Sequence, residues 1–356
     1  MKIILIAAFI SFIFFPCYSQ ADKSSFNLSE IKATEITLVT PLVTTGGKKR
    51  ISGLIVIDAR FDTSSYGLFQ NYPNKYYSIV SAKSAADDTR NFLRNYLEIT
   101  STNNGTDKKI IMVIKKLWAT SALQQEIVDE AEKSDSETGG IIAKFEFYCS
   151  NGEGYSPLYR FDTAVGDLKS MRRDAAESIS RVLALSVQQL LSTSLTTVSL
   201  PGKIMSLGEI MVYSSQQANI PIVAATIYKK GVYRTFNDFK MNDPSILNYE
   251  IEEDKLTKTI FLNEGKGAYP VRDLWGYCDG RHIYINSADN YFELVKKGNT
   301  FISNAARTLS RRRSLKAGNV LMLGVVGGGI GRGNKKTTYS LSRKLYELDM
   351  DTGELY

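Results

Sequence analysis

The chain has 356 residues, 43% of them hydrophobic and 23% charged. It is long enough for about two domains with buried cores, and its composition excludes both a disordered chain and a polytopic membrane protein. The formal charge is +7, with one histidine and three cysteines, which leaves few residues for the common zinc patterns or a nucleophilic triad.

Lys2 precedes an apolar, charge-free run over residues 3–15, which ends at Pro16. Cys17-Tyr18-Ser19 then places small residues where signal peptidase needs them, so residues 1–19 are expected to be a secretory signal and Gln20 the mature N-terminus. Lipid attachment at Cys17 is the competing processing route. Either way the expected destination is the periplasm, the outer-membrane periphery or the extracellular space. Cys149 and Cys278 remain after cleavage. In an oxidising compartment they either pair or persist as buried free thiols within apolar, strand-like segments.

The expected fold class is α+β: an N-terminal sheet with packed helices over residues 20–200, a mainly antiparallel β domain over 201–303, and a basic, Gly-rich segment over 304–356. Residues 35–43 and 51–60 read as two strands of a hairpin turned by Gly46-Gly47. Ser84 caps a helix with Asp87 three places on, and Ala85, Thr89, Phe92, Leu93, Tyr96 and Leu97 form its apolar stripe. Asn103-Asn104-Gly105 ends the following connection. The continuous apolar run at 110–114 reads as a strand buried on both faces.

Residues 124–136 are acidic and weakly periodic, a helix or an exposed loop. Residues 140–149 and 155–161 form a hairpin through Asn151-Gly152-Glu153-Gly154. A long helix starts near Asp167, with Leu168, Met171, Ala175, Ile179, Val182, Leu183, Ser186 and Leu190 on the core face, and exits at Leu200-Pro201-Gly202. Ile55-Val56-Ile57-Asp58-Ala59-Arg60-Phe61-Asp62 resembles the strand entering small envelope lipoprotein domains of the YajG kind. That resemblance implies an envelope-associated, non-catalytic domain, although the lipidated cysteine of those domains is missing here.

In the second half, residues 220–228 are strand-like and Lys230-Gly231 turns the chain. Thr235 and Asp238 form a capping box for a short helix that Asn242 and Pro244 stop. Short runs at 246–251, 256–262, 271–278, 281–286 and from 291 suggest an antiparallel meander or small barrel. The segments Tyr228-Lys229-Lys230-Gly231-Val232-Tyr233 and Trp275-Gly276-Tyr277-Cys278-Asp279-Gly280 resemble a module of uncharacterised exported proteins of Bacteroidetes-type bacteria, over roughly residues 220–356. That resemblance carries no known activity.

Candidate chemistry is sparse. Cys278-Asp279-Gly280-Arg281-His282 contains the sole histidine, but Asp279-Gly280 reads first as a type I′ hairpin turn. A hydrolase reading would use a Cys278–His282 pair or Asp/Glu acid–base groups; Asp58, Asp62, Glu250, Glu252 and Glu253 read more simply as solvated or hairpin-flanking. No catalytic residue, metal ligand or cofactor is assigned. The glycine run at 319–333 misses both phosphate-loop and dinucleotide spacing, since Asn334 precedes Lys335 and Arg332 stands where the third glycine belongs. It reads as a loop or strand, or as a membrane-inserting or oligomerising hairpin.

Around it runs a basic field with no intervening acid: Arg307, Arg311, Arg312, Arg313, Lys316, Arg332, Lys335, Lys336, Arg343 and Lys344. For an exported protein this excludes nucleic acid and points to anionic lipid, an acidic glycan or an envelope protein, with peripheral membrane contact through the tail. A solvated surface facing the acidic 126–137 segment is the plainer alternative. The expected function is thus non-enzymatic binding or assembly at the envelope.

Overall fold

The computed structural model describes residues 28, 31–39, 49–71, 75–99, 108–128, 132–168, 171–192, 203–215, 219–253, 258–263, 268–271, 273–287, 290–305, 311–313 and 344–356. The signal segment, Gly46-Gly47, Asn103-Asn104-Gly105, Leu200-Pro201-Gly202 and the glycine run at 319–333 lie outside the described residues. What is described is an α+β fold dominated by strand, as expected.

The first half contributes β1 (Lys32–Ile36), β2 (Lys49–Ile51), β3 (Gly53–Asp58), β4 (Gly67–Asn71), β5 (Lys75–Ser81), α1 (Ala85–Leu93), β6 (Leu97–Ile99), β7 (Lys109–Val128), β8 (Glu132–Ser150), β9 (Tyr155–Leu168) and α2 (Met171–Ser192). β1, β5, β4, β7 and β8 lie side by side, with β3 also beside β7 and β9 beside β8. The expected first hairpin is therefore corrected: β1 runs parallel to β5, and β3 parallel to β7. The reason lies in β7. Ile110, Ile111, Met112, Val113 and Ile114 are all 0% exposed, and such a strand needs neighbours on both sides, which β3 and β8 supply.

Local chemistry fixes the helices. The Ser84 hydroxyl accepts the Asp87 N–H at 3.1 Å, starting α1 as its spacing predicts. Ala85, Thr89, Phe92 and Leu93 are buried by that helix, whereas Leu97 belongs to β6, which pairs with β2. Leu168 likewise lies in β9, and α2 begins only at Met171. Its Ala175, Ile179, Val182, Leu183 and Leu190 join Ile110, Met112 and Ile114 in the main core. The β8–β9 hairpin forms as read: the Asn151 side chain accepts the N–H of Glu153 and Gly154 at its turn. Phe147 stacks on Tyr159 at 4.4 Å and Phe145 on Phe161 at 5.6 Å, contacts worth about 0.5–1.5 kcal/mol each beyond burial.

Residues 124–128 and 132–136 are strand, neither helix nor loop: they extend β7 and β8, with Leu123 opposite Thr138 and Val128 opposite Lys133. The backbone groups of an acidic segment can be satisfied by cross-strand pairing as well as by a helix, and weak helical periodicity left that option open.

The second half contributes α3 (Leu207–Ser215), α4 (Pro221–Ala224), β10 (Gly231–Tyr233), α5 (Phe236–Lys240), β11 (Tyr249–Glu253), β12 (Lys258–Asn263), β13 (Ala268–Pro270), β14 (Gly276–Cys278), β15 (Ile283–Ser287), β16 (Asn290–Lys297), β17 (Thr300–Ala305), β18 (Arg311–Arg313) and β19 (Lys344–Glu347). β10-β14-β15-β16-β17-β19 form an antiparallel sheet, and β11–β13 a smaller one over Tyr277 and Tyr284. The strand expected at 220–228 is a helical turn instead. Pro221 occupies the first helical position, where its missing N–H is harmless, and Ile222 and Val223 are buried.

The Thr235–Asp238 capping box is present in full, and Asn242 takes φ 50° to stop α5. β17 runs across residue 303 and β19 pairs beside it, so the last residues complete the sheet rather than trail from it. Gly353, at φ 80°, lies against the Phe236 ring, where an added Cβ would come within 2.5 Å.

The two sheets meet on the face of the first sheet opposite α1 and α2. Leu68, Tyr76 and Trp118 pack there against Ile302 and Leu345, while Ile210 of α3 covers Ile111, Val113 and Tyr148.

Candidate functional site

Beside that apolar seam lies a cluster of buried charge. β3 delivers Asp58, Arg60 and Asp62 at its end. Arg60, only 8% exposed, makes a two-pronged pair with Asp58 at 2.8 Å through both Nε and Nη2. Its Nη1 donates to the carbonyls of Ser65 at 2.7 Å and Leu117 at 3.3 Å, strapping the loop to β7.

Asp62 is sealed from solvent. Its carboxylate accepts from the Ser64 N–H at 2.8 Å, the Ser65 hydroxyl at 2.8 Å and the Lys297 ammonium at the end of β16. Burial alone would raise this carboxyl, but Lys297 and the two serines outweigh it and hold Asp62 below the ordinary range.

β7 supplies the next pair through a register shift. Ile114 pairs with Phe145 and Lys116 with Lys144, leaving Lys115 without a partner in the ladder. Lys116 reaches Asp349 at 2.6 Å and lies 4.5 Å over the Tyr356 ring. Burial pushes Asp349 up, and Lys116 pulls it back below its ordinary value. The Lys115 Nζ is buried without a hydrogen-bond partner among the described residues and rests 4.6 Å over the Tyr213 ring. Burial lowers its pKa against the pull of Glu146 and Asp351.

Glu347 completes the cluster. The residue is half-buried, and its Oε2 is out of solvent with no hydrogen-bond partner among the described residues. Burial, then Asp62 and Asp349, push this carboxyl well above its ordinary value, with Lys297 and Lys116 opposing.

Arg60, Asp62, Lys116, Trp118, Glu347 and Asp349 line a cleft of about 30 Å³. That is room for about one water, far below the several hundred Å³ of a typical organic-ligand pocket. The acids and bases here serve mainly one another.

Asp58 and Asp62, read as solvated or hairpin-flanking residues, are thus ion-paired, Asp62 buried and Asp58 half-buried. A buried carboxylate in this strand must find a cation, and Arg60 and Lys297 provide them. Lys115, Lys116, Lys297, Glu347 and Asp349 were not singled out by the sequence. The one local signal is a pair of lysines directly after the fully buried 110–114 run. Their carboxylate partners come from the far end of the chain, which no local spacing reveals.

The structure does not bring Cys278 and His282 together. The Cys278 thiol is buried in the core and accepts the Gly280 N–H at 3.3 Å, and burial pushes its pKa up. His282 is exposed, with Nδ1 3.5 Å from Asp279. The hairpin is real, but Gly280-Arg281 are its central residues: Asp279 N–H donates to the His282 carbonyl at 3.1 Å, and Gly280, at φ 101°, is the one in positive φ. The Asp279 carboxylate accepts the N–H of Arg281 and His282, both at 2.7 Å, which holds Asp279 opposite His282, just past β14, instead of at the centre of the type I′ turn expected. Both Cys149 and Cys278 are free.

Of the basic field, Arg311, Arg312 and Arg313 are described as backbone: they form β18, opposite Ser134, Lys133 and Glu132 of β8. Arg307, Lys316, Arg332, Lys335 and Lys336 lie outside the described residues. Among the described residues no three His, Cys, Asp or Glu side chains converge as a metal site would, and no helix is long and apolar enough to cross a membrane.

The β-dominated α+β architecture sets the class. Comparison then places part of the chain: residues 231–356, from β10 through the last turn, match a family of unknown function (DUF6563). No curated protein matches. Among solved structures, one titled an uncharacterized protein is similar at 10% identity and TM-score 0.29, covering 45% of this chain and 99% of its own. A Xanthomonas campestris protein of the DUF330 family is similar at 11% identity and TM-score 0.30, covering 46% of this chain and 95% of its own. A neuraminyllactose-binding hemagglutinin homolog from Helicobacter pylori shows 11% identity and TM-score 0.18, covering 51% and 99% respectively.

Proposed function

We propose that the chain is an exported bacterial envelope protein that works by binding or assembly at an anionic surface, with the basic segment around β18 as its contact. The observation that carries this reading is the placement of β18. β7 is a 20-residue strand, roughly 65 Å long at 3.3–3.4 Å per residue. Beyond Leu123 and Thr138 the described partners of its hairpin are the two arms themselves and β18. Arg311, Arg312 and Arg313 therefore sit at the far end of an arm, away from the core.

Their register partners Ser134, Lys133 and Glu132 carry no net charge together. Glu132 stands opposite Arg313, while Arg311 and Arg312 face no acid in the register, and β18 runs along the acidic 126–137 segment, which offsets its charge in part. The apolar run after Lys2, read as an export signal over residues 1–19, favours an envelope setting over nucleic acid. The cleft at the sheet junction, with room for about one water, favours binding over turnover of an organic substrate.

The test is retention of the protein on vesicles containing anionic lipid, on neutral vesicles, and on an immobilised acidic glycan, each across a salt series. Salt-sensitive retention on one anionic surface supports the reading and separates lipid from glycan. Equal retention on neutral vesicles, or none on any surface, overturns it.

A further inference from the structure

Among the described residues of the junction, Asp62 has Lys297 and Asp349 has Lys116, while the Glu347 Oε2 has neither ion pair nor hydrogen bond. Three carboxyls thus share two lysines that are already engaged. We propose that Glu347 is a proton-dependent latch between the two sheets: while neutral it lets β19 stay docked on β4 and β7, and its ionisation releases β19 and the turn that follows.

The groups facing it from each packed element set the sign. Asp62 of the 58–65 loop and Asp349 beyond β19 repel a negative charge, and Lys297 of β16 and Lys116 of β7 attract it. Lys115 is turned to Tyr213, and Arg60 is bound to Asp58, so neither stands free to take the charge. With Oε2 out of solvent and room for about one water in the cleft, an ionised Glu347 is poorly hydrated unless the junction opens. The element that would yield is short: β19 has four residues and pairs with β17 on one side, and on the other Glu347 exchanges backbone hydrogen bonds with Tyr356 of the turn that would leave with it. Its departure would uncover the seam where Leu345 meets Leu68 and Trp118.

A carboxyl whose folded pKa lies above its unfolded one stabilises the docked state fully at pH below the unfolded value. That stability is lost as pH rises through the folded value. The test is amide hydrogen exchange over residues 344–350, corrected for the intrinsic rate at each pH, in the full chain and in Glu347→Gln. The expected result is protection that falls about tenfold per pH unit between the ordinary glutamate range and the raised Glu347 titration of the docked chain, and levels off above it, and protection without that slope in Glu347→Gln.

A flat native profile, or the same slope in both chains, overturns the proposal. Should Glu347→Gln not fold, a ¹³C-carboxyl titration of glutamate in the native chain decides it. Titration of Glu347 within the ordinary glutamate range overturns the latch, and titration well above that range supports it.

Discussion

Asp62 and Lys297 stand 235 residues apart in the chain and meet as a buried ion pair, with side chains 2% and 16% exposed respectively. The pair joins the loop after β3 to the end of β16, and so ties the first sheet to the second. Its two ends are not equivalent. Lys297 keeps some solvent access if Asp62 is removed, whereas Asp62 has almost none if Lys297 is removed. Lys297→Met is therefore expected to cost about 3–5 kcal/mol, as for a buried carboxylate stripped of its cation. Asp62→Ala should cost less. Urea unfolding of both variants and of the double variant checks this: equal costs for the two single changes would contradict the asymmetry.

Acid should loosen the same junction by a different route. Asp62 and Asp349 are held below their ordinary values by Lys297 and Lys116. A depressed carboxyl contributes stability at pH above its unfolded pKa and loses it as pH falls through the folded one. The native chain should thus lose stability on acidification below the normal aspartate range. In Lys116→Met the Asp349 contribution to that slope should vanish. Thermal unfolding across an acid series measures it, and an unchanged slope in Lys116→Met would remove Asp349 from the account.

The 278–282 hairpin makes an opposite pair of predictions. His282 is exposed and touches Asp279 and the edge of Tyr284, so His282→Ala should change stability by less than about 0.5 kcal/mol. Gly280 sits at φ 101°, open to side chains only with strain, so Gly280→Ala should cost about 1–3 kcal/mol. Thermal shifts distinguish the two. A large loss on His282→Ala would mean that the ring does more than its contacts account for.

What the sequence makes legible follows the range of the interactions. Ser84 with Asp87, Thr235 with Asp238, and Asn151 with Gly154 are contacts within a few residues, and their chemistry can be read from the residues alone. The 110–114 run announces a strand buried on both faces, because five apolar residues in a row have no solvated side. It does not say which strand lies beside it, and the choice of β3 over a β1–β3 hairpin depends on pairing across 50 residues and more. The turn at Asp279-Gly280 is legible as a turn but not in its register, which a side chain decides by capping two N–H groups. The junction was the least legible part. Lys115 and Lys116 stand out as charges in a buried strand, but Asp349 and Glu347 are ordinary acids near the end of the chain until the fold brings them there.

The arginine strand carries the last prediction. β18 is annexed to the arm by backbone pairing, so replacing its side chains should leave the two sheets intact. Near an anionic bilayer each basic residue is worth about 1 kcal/mol, so three together supply about 3 kcal/mol, or roughly a hundredfold in affinity. Arg311→Glu/Arg312→Glu/Arg313→Glu is expected to lose at least that much retention on anionic vesicles at low salt, with unchanged thermal unfolding. The register adds a control. Lys133 lies opposite Arg312, and Lys133→Glu would place an acid across from it while leaving all three arginines in place. If exposed arginine charge is what binds, Lys133→Glu should weaken retention only partly. Unchanged retention in the triple variant, with the fold verified, would move the contact off β18 altogether.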